Sequence, residues 1–277
     1  MSQPVVLITG CSSGIGRALA DAFQGAGYRV FAAARKGADL ERLAAADFTA
    51  VKLDVNDAGD IARASARVRA EAGRLDVLIN NAGYGAMGPL LDGGAAGMRQ
   101  QFETNVFSLV ELTRACFPLL RASRGLVVNI GSISSVLVTP FAGTYCASKA
   151  AVHALSEALR MELAPFAIEV MEVQPGAIAS SFGSNASAQA EQLLNQNSPW
   201  WPLRDGIRAR ANASQDKPTP ASEFAADLLA AVQRTKRPAL LRLGHGCRSL
   251  PLLVFLLPRT LLQAVLKKRF GLNQKLI

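Results

Sequence analysis

The sequence predicts an α/β fold, a doubly wound parallel sheet in a single domain with a C-terminal helical extension. Three observations lead to this fold class: strand-like apolar runs alternate with helix-like runs, a glycine-rich turn follows the first run, and half of the 277 residues are hydrophobic. Strands that alternate with helices pair in parallel through right-handed crossovers, which place helices on both faces of the sheet. One large domain or two small ones fit this length, and we favour one.

The elements follow in order along the chain. The first strand leads through the glycine-rich turn into a helix, and the alternation continues from there. Strands are predicted at residues 5–9, 28–34, 50–53, 75–80, 126–130, 169–173 and 238–243, with helices at 15–26 and 220–234 among them. The domain is expected to span residues 1–243 and the extension residues 244–277.

One long segment interrupts the alternation. Over residues 176–220 the periodicity is lost, and Ser, Asn, Gln and Pro accumulate around Trp200 and Trp201. Long irregular segments inside compact domains are usually functional or mobile, so we expect a substrate lid here. The two tryptophans and Phe182 either line an apolar substrate site or are buried against the domain.

Charge is unevenly distributed. The chain carries a net charge of +9, yet Asp227 is its last acidic residue and ten basic side chains follow it. Residues 1–227 therefore hold 20 basic against 21 acidic side chains, a net charge of −1. Apolar residues among the basic ones of the tail favour contact with anionic lipid or an anionic substrate, and no nucleic-acid partner is expected.

The chain is expected in the cytoplasm, with peripheral membrane association through its tail left open. No signal peptide precedes the first strand, and Pro251, Pro258 and Arg259 interrupt a C-terminal apolar run shorter than the about 20 residues that span a bilayer. The four cysteines lack metal-ligand spacing and a chain of this size needs no disulfides, which indicates a reducing compartment and no metal.

The turn at residues 9–16 follows a strand and opens a helix, as a dinucleotide-binding turn does. Gly10 permits the tight turn, Gly14 lets backbone approach the pyrophosphate, and Gly16 allows close helix packing, with the phosphates at the helix N-terminus. The alternative is a glycine-rich turn without a ligand. Cys11 within the turn is either a small packing residue or a reactive thiol.

The end of the second strand indicates the type of dinucleotide. An NAD site places an acidic residue about 20 residues after the turn, whereas this chain has Ala34, Arg35 and Lys36 there. A guanidinium can bind a 2′-phosphate and no carboxylate repels it, so NADP is favoured over NAD. Alternatively, the two basic residues are ordinary solvated charges.

Tyr145 and Lys149 lie four residues apart on one face of a predicted helix, and Ser132 lies thirteen residues before the tyrosine. A phenol has a pKa of about 10, and a fixed cation nearby stabilises the phenolate, so the pair suits proton transfer. The alternative assigns these residues to structural roles: a surface pair, a strand-end cap at Ser132 and a helix start at Asn105.

Together these motifs resemble the short-chain dehydrogenase/reductase family over residues 5–182, which implies a Rossmann fold. The resemblance rests on the glycine-rich turn and on later motifs at family spacing. These are Asp54-Val55, Asn80-Asn81-Ala82-Gly83, Asn105, Ser132, Tyr145-x-x-x-Lys149 and Pro175-Gly176.

The resemblance implies an oxidoreductase that transfers a hydride between nicotinamide C4 and a carbonyl carbon. Tyr145 would transfer the proton, Ser132 would hydrogen-bond the substrate oxygen, and Lys149 would bind the nicotinamide ribose and depress the tyrosine pKa. Asn105 would hold a water that links Lys149 to solvent. A homo-oligomer, a dimer or tetramer, is also implied.

The resemblance also implies the cofactor contacts. Asp54 would meet the adenine, Asn81 would steady the central strand, and Ser180 stands where threonine is commoner. The NADP(H)-binding residues are expected to be Gly10, Ser12, Ser13, Gly14, Ile15, Gly16, Arg35, Asp54, Val55, Asn81, Ala82, Gly83, Tyr145, Lys149, Pro175, Gly176, Ile178 and Ser180.

The tail resembles a branch of the family that acts on lipophilic ketones, with hydroxysteroid dehydrogenase-like, retinal reductase-like and acyl-dihydroxyacetone-phosphate reductase-like members. The resemblance rests on Gly244-His245-Gly246 and Arg269-Phe270-Gly271-Leu272. The tail helices would either rest on an anionic membrane or cover the substrate cleft or a subunit contact. We expect NADPH-dependent reduction of a hydrophobic carbonyl compound; the alternatives are an acyl-dihydroxyacetone-phosphate reductase and a non-catalytic NADPH-binding regulator.

Overall fold

The computed structural model describes residues 3–276, so the expected domain limits at residues 1 and 277 lie outside the described residues. Seven strands form one sheet in the order β3-β2-β1-β4-β5-β6-β7, and every adjacent pair is parallel. The strands are β1 (Val5–Ile8), β2 (Arg29–Ala34), β3 (Thr49–Lys52), β4 (Val77–Asn80), β5 (Leu126–Ile130), β6 (Glu169–Pro175) and β7 (Leu240–Leu243). The predicted doubly wound sheet is confirmed.

Helices occupy most of the sequence between the strands. They are α1 (Gly14–Gly25), α2 (Gly37–Ala44), α3 (Ala58–Ala72), α4 (Leu90–Phe102), α5 (Ser108–Ser123), α6 (Gly143–Leu163), α7 (Ser181–Leu193), α8 (Arg204–Asn212), α9 (Ala221–Val232), α10 (Ser249–Leu256) and α11 (Arg259–Arg269). The strand order reverses beside β1, where the chain crosses from one half of the sheet to the other. Ligands of doubly wound sheets bind at that switch point, outside the carboxyl ends of the strands.

Two apolar layers cover the sheet. Alternate side chains of a strand point to opposite faces, and all four residues of β1 are buried because both faces are covered. Val6 and Ile8 belong to a cluster with residues of α1 and α9, whereas Val5 and Leu7 belong to one with residues of α3 and α5.

The expectation of an irregular segment over residues 176–220 was wrong. The segment contains α7 and α8, joined by short turns. The buried residues of α7 are Gly183, Ala186 and Ala190, which are spaced as one helical face but are too small to form an apolar stripe in the sequence.

The C-terminal extension packs on the domain. The Ala177 N–H donates to the His245 carbonyl at 2.9 Å, and a Cβ on Gly176 would lie 2.0 Å from that same oxygen. Phe270 is buried with Leu203 and Ile207 of the lid segment. The tail therefore packs against the segment of residues 176–220, and both alternatives for its role stay predictions.

The outer face of the extension remains apolar. Leu252, Phe255 and Leu256 of α10 are exposed, Phe255 by 85%, and Leu261 and Val265 of α11 are about half exposed. No helix within residues 3–276 combines the length and the apolar character needed to cross a bilayer.

Candidate active site

The glycine-rich turn lies at the carboxyl end of β1 and forms a cradle for a phosphate group. Gly10 and Gly14 have φ values of 74° and 57°, a backbone region that glycine adopts without strain. A Cβ on Gly16 would lie 2.2 Å from the Gly10 carbonyl oxygen. Within the described chain Ser13 does not cap α1 and the first turn carries no acidic residue, so its N–H groups can bind an anion.

The turn is fastened to the end of β4. The N–H groups of Asn81 and Ala82 donate to Thr9 Oγ1 at 2.9 and 2.8 Å, and Asn81 Nδ2 donates to the Thr9 carbonyl at 2.8 Å. Cys11 is fully buried, and burial raises the pKa of its thiol to about 12. The cysteine is therefore a packing residue.

Arg35 and Asp54 stand side by side beyond the ends of β2 and β3. Arg35 is 65% exposed, and its Nη1 lies 4.0 Å from Asp54 Oδ2. The next residue after Asp54, Val55, is buried. Both charged side chains are thus on the edge where the adenosine half of a dinucleotide would lie.

Tyr145 and Ser132 meet as predicted. Both residues are 7% exposed, and the Ser132 hydroxyl is near enough to the phenol to lower the pKa of Tyr145. Ser132 also accepts from the Ser134 N–H at 3.1 Å, so it has the structural role of a cap, and its role towards a substrate oxygen stays a prediction. Phe182 of α7 lies over the tyrosine, with ring centroids 5.5 Å apart.

The expected depression of the tyrosine pKa is absent. Burial raises the pKa of Tyr145 to about 12, although the Ser132 hydrogen bond and the charge of Arg210 act in the opposite direction. Lys149 Nζ lies 5.9 Å from the centre of the phenol ring and donates to the Ile130 carbonyl at 2.8 Å. The lysine is itself buried, which lowers its pKa to about 8. Burial is thus the largest effect on the pKa of each group.

Asn105 lies in a π-helical turn, Glu103–Phe107, between α4 and α5. Such turns often occur at functional sites. Asn105 Nδ2 donates to the Tyr84 carbonyl at 3.0 Å and to Ser148 Oγ at 3.1 Å, and its Oδ1 accepts from the Tyr84 N–H. The amide therefore fixes the loop after β4. Asn105 and Lys149 line one small internal cavity, and the water expected between them stays a prediction.

The loop after β6 brings the remaining predicted cofactor residues to the cleft. Ile178 is buried, and Ser180 caps α7 by accepting from the Phe182 N–H at 3.4 Å. A Cβ on Gly14 would lie 2.9 Å from Ser180 Cβ, and the Ser13 and Ser181 hydroxyls are 2.7 Å apart. The start of the lid is therefore in contact with the glycine-rich turn.

Two charged residues beside this site escaped sequence analysis. Glu172 of β6 is fully buried, and its Oε2 lies 2.6 Å from His153 Nδ1. Its negative charge raises the pKa of Lys149, against the larger effect of burial. Arg210 of α8 is 8% exposed. In the sequence, Glu172 could have been noticed as a charged residue between buried residues of a strand. No feature of the sequence marked Arg210.

His153 lies four residues beyond Lys149 on α6, and its ring is 38% exposed with Nδ1 in contact with Glu172. Donor atoms of His153, Glu157 and Glu172 lie within 4.8 Å of one another. His153 and Glu172 contact each other, and Glu157 accepts from Arg160. These contacts account for the grouping of the three residues without a metal ion.

The site can bind a nicotinamide dinucleotide. The glycine-rich turn with its uncapped helix N-terminus contacts the loop after β4 and the start of α7, and the buried Tyr145 and Ser132 follow β5 on the same side of the sheet. The tyrosine hydroxyl can exchange a proton with a substrate oxygen that the serine hydroxyl positions.

A family model described as short chain dehydrogenase matches residues 4–191. The chain is 35% identical to the short-chain dehydrogenase ptmH of Penicillium ochrochloron, over 99% of this chain and all of that protein. It is 30% identical to an NADPH-dependent 1-acyldihydroxyacetone phosphate reductase of Saccharomyces cerevisiae, over 99% of this chain and 94% of that protein.

Solved structures give the same result. A short-chain dehydrogenase from Streptomyces avermitilis superposes with a TM-score of 0.80 at 33% identity, covering 99% of this chain and all of that one. A short chain dehydrogenase from Burkholderia cenocepacia in complex with NADP superposes with a TM-score of 0.75 at 26% identity, covering 96% of this chain and 98% of that one.

Proposed function

The chain belongs to the short-chain dehydrogenase family, and we propose that it uses NADPH to reduce the carbonyl of a hydrophobic substrate, or oxidises the alcohol in reverse. The substrate classes that we propose are steroids, retinoids and acyl-chain ketones. The observation that carries the proposal is the buried contact between Tyr145 and Ser132, with Lys149 beside it.

The chain's own groups would position the substrate and move a proton. The bound nicotinamide supplies the hydride. Ser132 would donate a hydrogen bond to the substrate oxygen, and Tyr145 would deliver its hydroxyl proton to that oxygen during reduction. Lys149 would bind ribose hydroxyls through its ammonium group. Phe182 and the lid would exclude water from the tyrosine.

A preference for NADP over NAD is supported by the cofactor edge and by two relatives. Arg35 is exposed where a 2′-phosphate would lie, and Lys36 follows it. The Burkholderia structure contains NADP and the yeast relative is NADPH-dependent.

An apolar substrate is supported by the residues around the tyrosine. Phe141, Tyr145 and Ile207 belong to one buried cluster, and Phe182 and Trp200 pack against it. We assign residues 176–220 as a lid on this cluster and residues 244–277 as an extension that supports the lid. The exposed apolar face of α10 fits peripheral contact with an anionic membrane, and a cytoplasmic homo-oligomer fits the family resemblance.

A second candidate is the reduction of acyl-dihydroxyacetone phosphate. It is favoured by the similarity to the yeast reductase, which extends over 99% of this chain. The measurement is NADPH oxidation on acyl-dihydroxyacetone phosphate and on the same compound without its phosphate. Turnover of the phosphorylated compound alone would favour this candidate; equal rates on both compounds would favour the broader activity.

The test of the proposal is NADPH consumption at 340 nm on steroid, retinoid, long-chain and phosphorylated ketones, with the wild-type protein and Tyr145→Phe. We expect Tyr145→Phe to lower kcat by roughly 10²–10⁴-fold, because it lacks the acidic proton, with NADPH affinity nearly unchanged. Undiminished turnover in Tyr145→Phe would defeat the mechanism. NADPH binding without turnover of any ketone would favour a non-catalytic NADPH-binding regulator.

A further inference from the structure

Among residues 3–276, Arg210 is a buried arginine with one hydrogen-bonding partner and no counter-charge. Its Nε donates to Thr139 Oγ1 at 2.5 Å, and no carboxylate within residues 3–276 forms an ion pair with it. Arg208, two residues before Arg210 in the same helix, binds both Glu191 and Asp205. Burying a guanidinium without a counter-charge is unfavourable, so a partner that supplies negative charge is missing from the contacts of Arg210.

The surroundings of Arg210 are apolar and close to the proposed reaction centre. Ile207 and Ala211 of the same helix are buried in the cluster that contains Tyr145 and Phe270. The charge of Arg210 lowers the pKa of Tyr145, against the larger effect of burial, so the guanidinium is near enough to act on the phenol. A second cation, Arg269, is near enough to lower the pKa of Arg210.

A strained loop holds the single partner of Arg210. Phe141, two residues after Thr139, has a φ of 61°, which is unfavourable for a large side chain, and its carbonyl accepts from the Gly88 N–H at 2.8 Å. Such strain is concentrated at functional sites. The loop, Thr139 and Arg210 together connect the segment after Ser132 to the lid helix α8.

We propose that Arg210 binds an oxyanion of the substrate, a carboxylate or a phosphate, close to the carbonyl that Tyr145 serves. The inference rests on the proposed function, because it places this oxyanion in the same cleft. The planar guanidinium suits either group, since two parallel N–H bonds match two oxygens. The substrate is then an amphiphile, with an anion near its ketone and an apolar remainder against Phe182 and Trp200.

This assignment changes which residues would recognise a phosphorylated substrate. Lys267 and Lys268 of the tail are exposed, whereas Arg210 is buried on the helix whose residues Ile207 and Ala211 pack in the cluster of Tyr145. The basic tail was the expected phosphate contact. We assign the phosphate contact to Arg210 instead, and Arg269 of the tail adds positive charge.

The experiment measures binding rather than turnover, so it does not depend on finding a reducible substrate. Octyl phosphate and octanoate are titrated by calorimetry into the full chain with NADP⁺ in a phosphate-free buffer, beside octanol and methyl octanoate. We expect each anion that fits to bind roughly 10- to 100-fold more tightly than its neutral partner. Arg210→Met should remove that advantage, and Arg210→Lys should retain part of it.

Arg208→Met is the matched control, because it removes a guanidinium of the same helix that already has carboxylate partners. It should keep the preference for anions. Unchanged affinity for octanol in Arg210→Met would show that the cleft is intact. If Arg210→Met does not fold, the same titrations are made with Arg210→Lys. Equal binding of anions and neutral partners by the wild-type chain, or a preference that survives in Arg210→Met, would overturn the proposal.

The two anions identify the source of the charge: a preference for octyl phosphate alone indicates a phosphate ester, and one for octanoate alone a carboxylic acid. Absent ketone reduction with intact anion binding would defeat the proposed function alone. Ketone reduction without anion preference would defeat the assignment of Arg210 alone.

Discussion

Two regions meet at the cleft and are held in different ways. The cofactor region, meaning residues 9–16 with Asn81 and Ala82, is fixed by backbone atoms and a threonine hydroxyl within hydrogen-bond distance. The lid region, meaning α7, α8 and residues 269–272, is fixed by side-chain packing between segments far apart in sequence. The first arrangement depends on glycines at set positions, whereas the second depends on which distant segments are brought together.

The two regions can also be observed separately. Both tryptophans of the chain, Trp200 and Trp201, lie between α7 and α8. Tryptophan fluorescence without NADPH therefore reports on the lid region, and NADPH affinity reports on the cofactor region. Each variant below should change one signal more than the other.

The largest effect is expected from Gly16→Ala in the cofactor region. The new Cβ would lie 2.2 Å from the Gly10 carbonyl oxygen, a backbone atom that cannot rotate away, so the turn must open. We expect NADPH affinity to fall by roughly 100-fold, the upper end of what overpacking costs, with the tryptophan spectrum unchanged. The measurement is NADPH binding by fluorescence titration.

Gly25→Ala is its control, because a Cβ there meets nothing within 4 Å among the described residues and the change lies in the same helix. It should bind NADPH like the wild type. Equal loss in both variants would mean that any alanine in α1 is harmful and that the cradle is not the cause.

The difference between the regions also decides what sequence could predict. The glycine-rich turn was predicted from the sequence, since the chemistry of residues 9–16 is local and glycines mark the positions where a side chain would collide; its contacts with a cofactor stay predictions. The strands were predicted from apolar runs, because a strand covered on both faces is continuously hydrophobic.

The helices of residues 176–220 were missed for physical reasons. Helix α7 buries alanine and glycine, so its buried face has no large apolar residues to reveal the period. Arg210 is buried only because the 139–141 loop and the tail meet α8, and no local pattern encodes that meeting. Glu172 is a charged residue within β6. Charged residues of a strand usually face solvent, but α6 covers this one.

The second-largest effect is expected from Gly206→Ala in the lid region. Its Cβ would lie 2.1 Å from the Phe270 carbonyl oxygen, so residues 269–272 must move away from α8. We expect a loss of about 1–2 kcal/mol in the free energy of unfolding and a higher KM for hydrophobic ketones, as for other overpacked contacts. Urea unfolding followed by tryptophan fluorescence is the measurement.

NADPH affinity of Gly206→Ala should be close to that of the wild type. Gly97→Ala in α4 is the control, because a Cβ there meets nothing within 4 Å in the described structure and alanine favours a helix. A large loss of NADPH affinity in Gly206→Ala would show that the two regions do not behave independently.

A smaller effect is expected at the cofactor edge. Arg35→Ala should weaken NADPH by roughly tenfold while leaving NADH nearly unchanged, because only the 2′-phosphate uses the guanidinium and the site is exposed. Dissociation constants for both cofactors are the measurement. Arg42→Ala, which removes an exposed arginine paired with Asp39, is the control. Equal weakening of both cofactors in Arg35→Ala would mean that the arginine does not select NADP.

The smallest effect is expected between the two regions, at Glu172. Its negative charge raises the pKa of Lys149, which burial has lowered to about 8, and Tyr145 faces the lysine from the same helix with a pKa of about 12. Removing the charge in Glu172→Gln should lower the lysine pKa further, by roughly one pH unit. The ammonium form would then be lost at lower pH.

The measurement is kcat/KM against pH, which reports ionisations of the free enzyme. If the lysine must be protonated to bind ribose, the fall in activity on the alkaline side should begin about one pH unit lower in Glu172→Gln. Glu157→Gln is the matched control, since that carboxylate belongs to the same cluster but accepts from Arg160. An alkaline limb that stays in place would show that Glu172 supports the fold through His153 and Gln174 without adjusting the charge of Lys149.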